Sequence, residues 1–224
     1  MNHAVARPRE AALATPSDLV RHDGRNRRSA ETRRKIIEAA KAMIAETGTA
    51  PTVVGVAKRA DVSVRSVFQH FGDVESLFVT VFDNVREGAL RLEAPSGEAP
   101  LPARIDQVID HLAEMYDKVV PLRLAAGQFG DTNQALVERR ETARRDVASF
   151  VRQAFTPEFA GLDEAAKAEL QAAFEAALSV DSWIMLRRGS GLAFEPAKAV
   201  WRRMLTALFD HARVDNERVQ LAHD

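Results

Sequence analysis

The chain has 224 residues, with 31 Lys and Arg against 32 Asp and Glu, so a net charge of −1 selects no partner by itself. Hydrophobic residues make up 46 % and charged residues 28 %, the balance expected of a soluble globular chain with one larger or two small domains. There is no cysteine, which excludes disulfides and thiolate zinc sites and fits a reducing cytoplasm, and no apolar run nears the roughly twenty residues that span a bilayer, so a cytoplasmic protein with no membrane partner is expected.

Charge distribution says more than net charge. Between Arg21 and Lys35 seven basic residues stand against two acidic ones. Residues 1–28 read as a flexible basic arm, with Pro8, Pro16 and scattered alanines giving no periodicity up to Asp23. Arg25, Arg27 and Arg28, with Arg33 and Arg34 beyond, are candidates for gripping a phosphate backbone.

A small helical domain is expected over residues 29–92. From Arg33 to Thr47, Ile36, Ala39, Ala40, Met43 and Ile44 recur with helical period, and Gly48 suits the stop. Residues 52–71 then read as two short helices joined by a tight turn. Val53, Val56, Ala57 and Ala60 give the first a buried face, and Thr52 caps it. Asp61 sits at the bend, where a left-handed backbone is wanted, and Ser63 caps the second helix. Placing Val67, Phe68 and Phe71 inward leaves Val64, Arg65, Ser66, Gln69 and His70 pointing out. This outward set suits base edges and phosphates: Arg65, Ser66 and Val64 for bases, and Thr52, Ser63, Gln69 and His70 for phosphates. Helical hairpins with polar outer faces are common, so the hairpin does not decide alone. A further helix follows Asp73, with Leu77, Phe78, Val81, Phe82 and Val85 inward.

The order I-I-E-A-A, T-V-x-x-V-A, A-D-V-S-V-R-S-V-F-Q-H-F and E-S-L-F resembles the tetracycline-repressor (TetR) family of transcription regulators, over roughly Arg33 to Phe82. The resemblance implies a three-helix DNA-binding head followed by a helical sensing and dimerising domain. Three positions depart from the family pattern. Asp61 replaces a usual Gly, Phe68 replaces a Tyr whose hydroxyl meets phosphate, and Val74 stands where Lys is usual. Arg65 occupies a position that is usually small, and its guanidinium can bind guanine bidentately.

Residues 93–102, with three prolines and a glycine, read as a linker. Residues 103–214 show only helical stripes. One contains Ile105, Val108, Ile109, Leu112 and Met115 or Tyr116 and is interrupted at Pro121; another runs from Gln134 to Phe155. Single helices are expected from Glu164 to Arg188 and from Pro196 to Arg213, then a tail over 215–224. Leu170, Phe174 and Leu178, with Val200, Trp201, Met204, Leu205 and Leu208, are expected to form a dimer interface, a four-helix bundle when two copies meet, or else to fill the monomer's own core. Met115, Tyr116, Phe129, Phe150, Trp183 and Met185 are candidate pocket walls, with Arg123, Gln128 and Asp181 as polar contacts.

The expected protein is all-α, with a helix-turn-helix domain and a larger helical domain. Its expected function is that of a homodimeric regulator, a repressor released from a palindromic double-stranded operator by a small molecule. No enzymatic constellation is apparent and no cofactor or metal is expected. Asp110, His111, Glu114 and Asp117 share a helix face at ligand-like spacing and keep a metal-dependent enzyme as a minor alternative. The other alternative is a helical adaptor binding protein instead of DNA.

Overall fold

The computed structural model describes residues 16–89, 92–129 and 133–221, and the described residues form helices and loops without a strand. The first helix, α1, runs over Pro16–Thr47, so residues 16–28 are helix rather than the expected arm. Pro16 at the start carries a preset φ. Gly48, at φ 63°, ends the helix by donating its N–H to the Ile44 carbonyl at 2.8 Å.

Helices α2 (Val53–Ala60) and α3 (Val64–Phe71) follow, then α4 (Val74–Ala89). Asp73 caps α4, its carboxylate accepting from the Ser76 N–H at 2.7 Å. Ile36, Ala40, Val56, Ala57, Val67, Phe71, Leu77, Phe78 and Val81 pack into one core. That core also contains Leu122, Ala125, Ala126 and Leu136 from the second half of the chain. The two expected domains therefore share hydrophobic contacts instead of meeting through a linker alone.

Loop residues 92–100 lead to α5 (Leu101–Ala126). Contrary to the expected interruption, α5 passes through Pro121, forgoing the backbone hydrogen bond that would have reached the Asp117 carbonyl. A short 3₁₀ turn, Gly127–Phe129, closes it. Helices α6 (Gln134–Ala154), α7 (Thr156–Ala160) and α8 (Glu164–Ala177) come next.

The expected helix from Glu164 to Arg188 is broken after Leu178. Ser179 starts α9 (Val180–Ile184) by accepting from the Ser182 N–H at 3.0 Å. The Leu178 carbonyl freed by the break accepts the Tyr116 hydroxyl at 2.9 Å inside the protein. Burial, and secondarily the Asp181 charge, push that phenol's pKa up. A π-turn, Met185–Gly189, follows. The last helix, α10 (Phe194–Leu221), starts two residues before Pro196 and extends through most of the expected tail.

The larger core gathers α5, α6, α8 and α10 around Leu112, Phe155, Phe174, Trp183, Trp201 and Leu205. Trp183 and Trp201 stand 4.5 Å apart between ring centroids. Each indole N–H is used, Trp183 donating to Asp117 at 2.8 Å and Trp201 to the Ser182 hydroxyl at 3.3 Å.

Arg104, only 3 % exposed, is the buried charge among the described residues. It donates to the Ala99 and Ala154 carbonyls, both at 2.8 Å, and to both carboxylate oxygens of Glu158. It thereby ties the loop before α5 to the end of α6 and to α7. Arg104→Ala would strand the half-buried Glu158 carboxylate and two carbonyls, so a loss of about 3 kcal/mol is expected. Urea unfolding followed by circular dichroism checks this, and a loss below about 1 kcal/mol contradicts the anchoring role.

Candidate DNA-reading surface and internal cavity

The hairpin of α2 and α3 is set by its caps and by one left-handed residue. The Thr52 hydroxyl accepts from the Gly55 N–H and the Ser63 hydroxyl from the Ser66 N–H, each at 3.1 Å. Asp61, at φ 54° and ψ 50°, is the only non-glycine positive-φ residue among those described. Its geometry lets the Val62 N–H reach the Ala57 carbonyl at 3.0 Å, which closes α2 and turns the chain.

Val67 and Phe71 anchor α3 inward, at 2 % and 8 % exposure. Arg65 and Gln69 stand exposed, with Ser66 and His70 half-buried beside them. Phe68 is corrected: it is 49 % exposed rather than inward, because it lies about 100° around the helix from Val67. It shares its side with Val64, four residues earlier and 38 % exposed, and Val54 on α2 is exposed too. The outer face of the hairpin therefore combines a guanidinium with no ion-pair partner among the described residues, polar side chains and an apolar pair. Such a pair suits a thymine methyl.

The basic residues divide into those already engaged and those that are not. Arg33 donates to the His70 carbonyl at 3.2 Å and stacks over the Phe71 ring at 4.4 Å, so it pins the end of α3 from within. This contact occupies Nη1 of a guanidinium that was expected to meet phosphate. Arg34 pairs with Glu31 at 2.7 Å on the α1 surface. Arg27 and Arg28 lie exposed on α1, and the Arg25 side chain lies outside the described residues. Arg59 is held by Glu46 at 2.6 Å, whereas the exposed Lys58 forms no ion pair with a described residue. The sequence reading passed over Lys58; its position beside the turn, on the side of α2 opposite Val56, was the available signal.

A cavity of about 560 Å³ lies between α4, α5, α6, α8 and α9. Of the expected pocket residues it brings together Met115, Tyr116, Arg123 and Asp181. The other five lie elsewhere. Phe150 and Trp183 are buried in the larger core, and Phe129 stacks on Phe78, 4.8 Å between centroids, at the edge of the amino-terminal core. Gln128 accepts the Ala50 N–H at 3.0 Å, and Met185 is 59 % exposed on the π-turn. Periodicity could not separate these, since it identifies inward faces without saying which inward space is filled. Phe82, Val85, Val119, Val147, Gln171 and Phe174 are lining residues that it missed.

The expected dimer residues need a similar correction. Leu170, Phe174, Leu178, Trp201 and Leu205 are buried in the chain's own core and have no surface to offer a second copy. Met204 is 37 % exposed, and Val200 and Leu208 are half-buried. The metal-like quartet is dispersed as well. Asp110 pairs with Lys198 at 2.7 Å, Asp117 serves Trp183 and Arg187, and His111 stacks on Phe150. No group of three metal-ligating side chains forms among the described residues.

Residues 36–81 match the family model for bacterial regulatory proteins of the tetR family. The chain carries a TetR-family DNA-binding domain. The whole fold is similar to the crystal structure of a tetR-family transcriptional regulator from Streptomyces coelicolor, with TM-score 0.63 and 16 % identity over 87 % of this chain and 84 % of that one. It is also similar to a Mesorhizobium loti protein assigned to the TetR-family transcriptional regulators, with TM-score 0.52 and 22 % identity over 83 % of this chain and 96 % of that one. No curated protein matches the chain. The matched segment spans the end of α1 through the middle of α4, so the TetR-type hairpin lies wholly inside it.

The left-handed turn generates a direct prediction. Asp61→Val places a β-branched side chain at positive φ and is expected to cost about 1–2 kcal/mol in unfolding free energy. Asp61→Asn, which tolerates that backbone, should leave the thermal midpoint nearly unchanged. Equal losses for both variants would contradict the strain argument.

Proposed function

We propose that this TetR-type protein is a homodimeric regulator of transcription, a repressor that binds a palindromic DNA operator and leaves it when a small molecule occupies the cavity. The single observation that supports it best is the exposure of Arg65, without an ion-pair partner among the described residues, on the outer face of a capped and anchored α3. A guanidinium so placed can form the bidentate bond to guanine, with Ser66 and Val64 beside it. Thr52, Ser63, Gln69, His70, Lys58 and the α1 arginines Arg25, Arg27, Arg28 and Arg34 serve phosphates. Cytoplasmic residence follows from this reading, and no described helix is long and apolar enough to cross a membrane.

One α3 helix reads only a few base pairs, so specificity calls for a symmetric pair spaced by roughly 34 Å, one turn of DNA. The outer faces of α8 and α10 supply a surface for pairing. Ala165, Ala168, Ala172 and Ala176 lie exposed along α8, and Met204 and Ala207 along α10. Small side chains there allow close helix approach, a different set from the buried residues first assigned. Ligand control enters through α4, whose first half lies in the head core while Phe82, Val85 and Arg86 line the cavity. A ligand that favours another α4 position alters the spacing of the heads, and by linkage operator DNA weakens the ligand.

A second reading has one observation in its favour. Exposed Val54, Val64 and Phe68 form an apolar patch that a protein partner would also cover, as an adaptor requires. Salt dependence separates the two, since phosphate contacts weaken steeply with salt.

Selection of duplexes from a random pool, followed by gel shifts, tests the main reading. Arg65→Ala should relax preference at one operator position by about 1–3 kcal/mol. Arg27→Ala should weaken all sequences alike and reduce the salt slope by about one. Failure of the wild-type chain to enrich any sequence sinks the regulator reading. For the assembly, Ala172→Glu combined with Met204→Glu is expected to give a helical monomer in light scattering, and a variant that remains dimeric refutes the α8–α10 surface.

A further inference from the structure

We infer that Val64 and Phe68 read the 5-methyl group of a pyrimidine in the major groove, close to the guanine taken by Arg65. This rests on the DNA-binding reading above and adds a second base, and a second kind of contact, to it. Val64 is 38 % exposed and Phe68 49 %, on a helix that Val67 and Phe71 already anchor inward.

The helix period places these side chains together. At about 100° per residue, Phe68 lies roughly 60° around α3 from Arg65 and roughly 40° from Val64. The three form one continuous strip, in which the exposed Arg65 stands opposite the buried Val67. Val64 and Arg65 open the helix, and the first turn of a reading helix is the part that meets base edges. Residues three or four apart on a helix stand about 5–6 Å from each other at Cβ, and bases stack every ~3.4 Å. An arginine bound to guanine thus sets the apolar pair against a base about one or two steps away. The strip is also held still, since Ser63 caps the start of α3 while Arg33 binds the His70 carbonyl and stacks on Phe71 at its end.

Valine and phenylalanine side chains carry no donor or acceptor, so neither can grip a phosphate or read a polar base edge. The major-groove edge of a base pair has one apolar feature, the C5 methyl of thymine. Covering that methyl with Val64 and Phe68 removes apolar surface from water on both sides of the contact. 5-Methylcytosine carries the same methyl at the same ring position. Side chains without hydrogen-bonding atoms respond to that methyl whichever of the two pyrimidines bears it. An operator with cytosine at this position is therefore bound more tightly once the cytosine is methylated.

Gel shifts of the full chain on a duplex enriched from the random pool test this. Each thymine is replaced in turn by deoxyuridine, which removes the methyl and nothing else. At a thymine within about two base pairs of the guanine, the replacement is expected to weaken binding about fourfold. With a C·G pair at the same position, 5-methylcytosine should bind more tightly than cytosine by a similar factor. Phe68→Ala and Val64→Ala should each shrink the gap between thymine and deoxyuridine while the guanine preference set by Arg65 persists. The wild-type comparison stands as a test even where a variant fails to fold. An enriched duplex on which deoxyuridine binds as well as thymine at every position, or that loses affinity only at thymines far from the guanine, overturns the methyl contact and leaves the regulator reading intact. Failure to enrich any duplex overturns both, and assigns the apolar strip to a protein partner.

Discussion

Helix α4 is the constraint on which the arrangement turns, because it belongs to two packed regions at once. Leu77, Phe78 and Val81 are fully buried in the amino-terminal core, and one turn later Phe82, Val85 and Arg86 face the cavity. A helix of this length transmits displacement along its axis instead of absorbing it, since its backbone hydrogen bonds hold the turns in register. The amino-terminal core is also tied sideways to the larger domain. Leu122 and Leu136 insert into it, and Arg139 holds Asp83 on α4 through two bonds of 2.6 and 2.7 Å. The hairpin is thus joined to the cavity wall through packed helices and an ion pair.

The two surfaces of interest handle charge in opposite ways. On the hairpin, Lys58 and Arg65 have no ion-pair partner among the described residues, and exposed cations in water cost little until a polyanion arrives. Around the cavity Arg86, Arg123 and Arg144 each face a carboxylate. Both surfaces also depend on contacts that fix helix ends. Arg33 holds the end of α3 through the His70 carbonyl, and Tyr116 closes the broken end of α8.

Local signals proved reliable where a side chain acts on its own backbone. Thr52, Ser63 and Asp73 each accept an N–H three residues ahead, as helix-starting residues do. The left-handed Asp61 and the stop at Gly48 belong to the same class. Phe68 marks the limit of such reading. Its apolar character suggested an inward position, yet the neighbouring Val67 and Phe71 take that face and leave it exposed. Pro121 marks another, since packing on both sides of α5 outweighs one lost hydrogen bond.

From its sequence alone the chain determined an all-helical architecture, a capped hairpin with Arg65 outward, and the TetR resemblance, because each depends on interactions spanning only a few residues. The tertiary structure decided which apolar stripes fill the protein and which remain available. Trp201 and Leu205 turned out to be core, and the exposed alanines of α8 remained at the surface. It also decided that Tyr116 and Gln171 face one cavity while Trp183 and Phe150 do not. Helical periodicity marks an inward side, but the neighbour on that side comes from contacts between residues dozens of positions apart. Those contacts exist only once the helices are assembled.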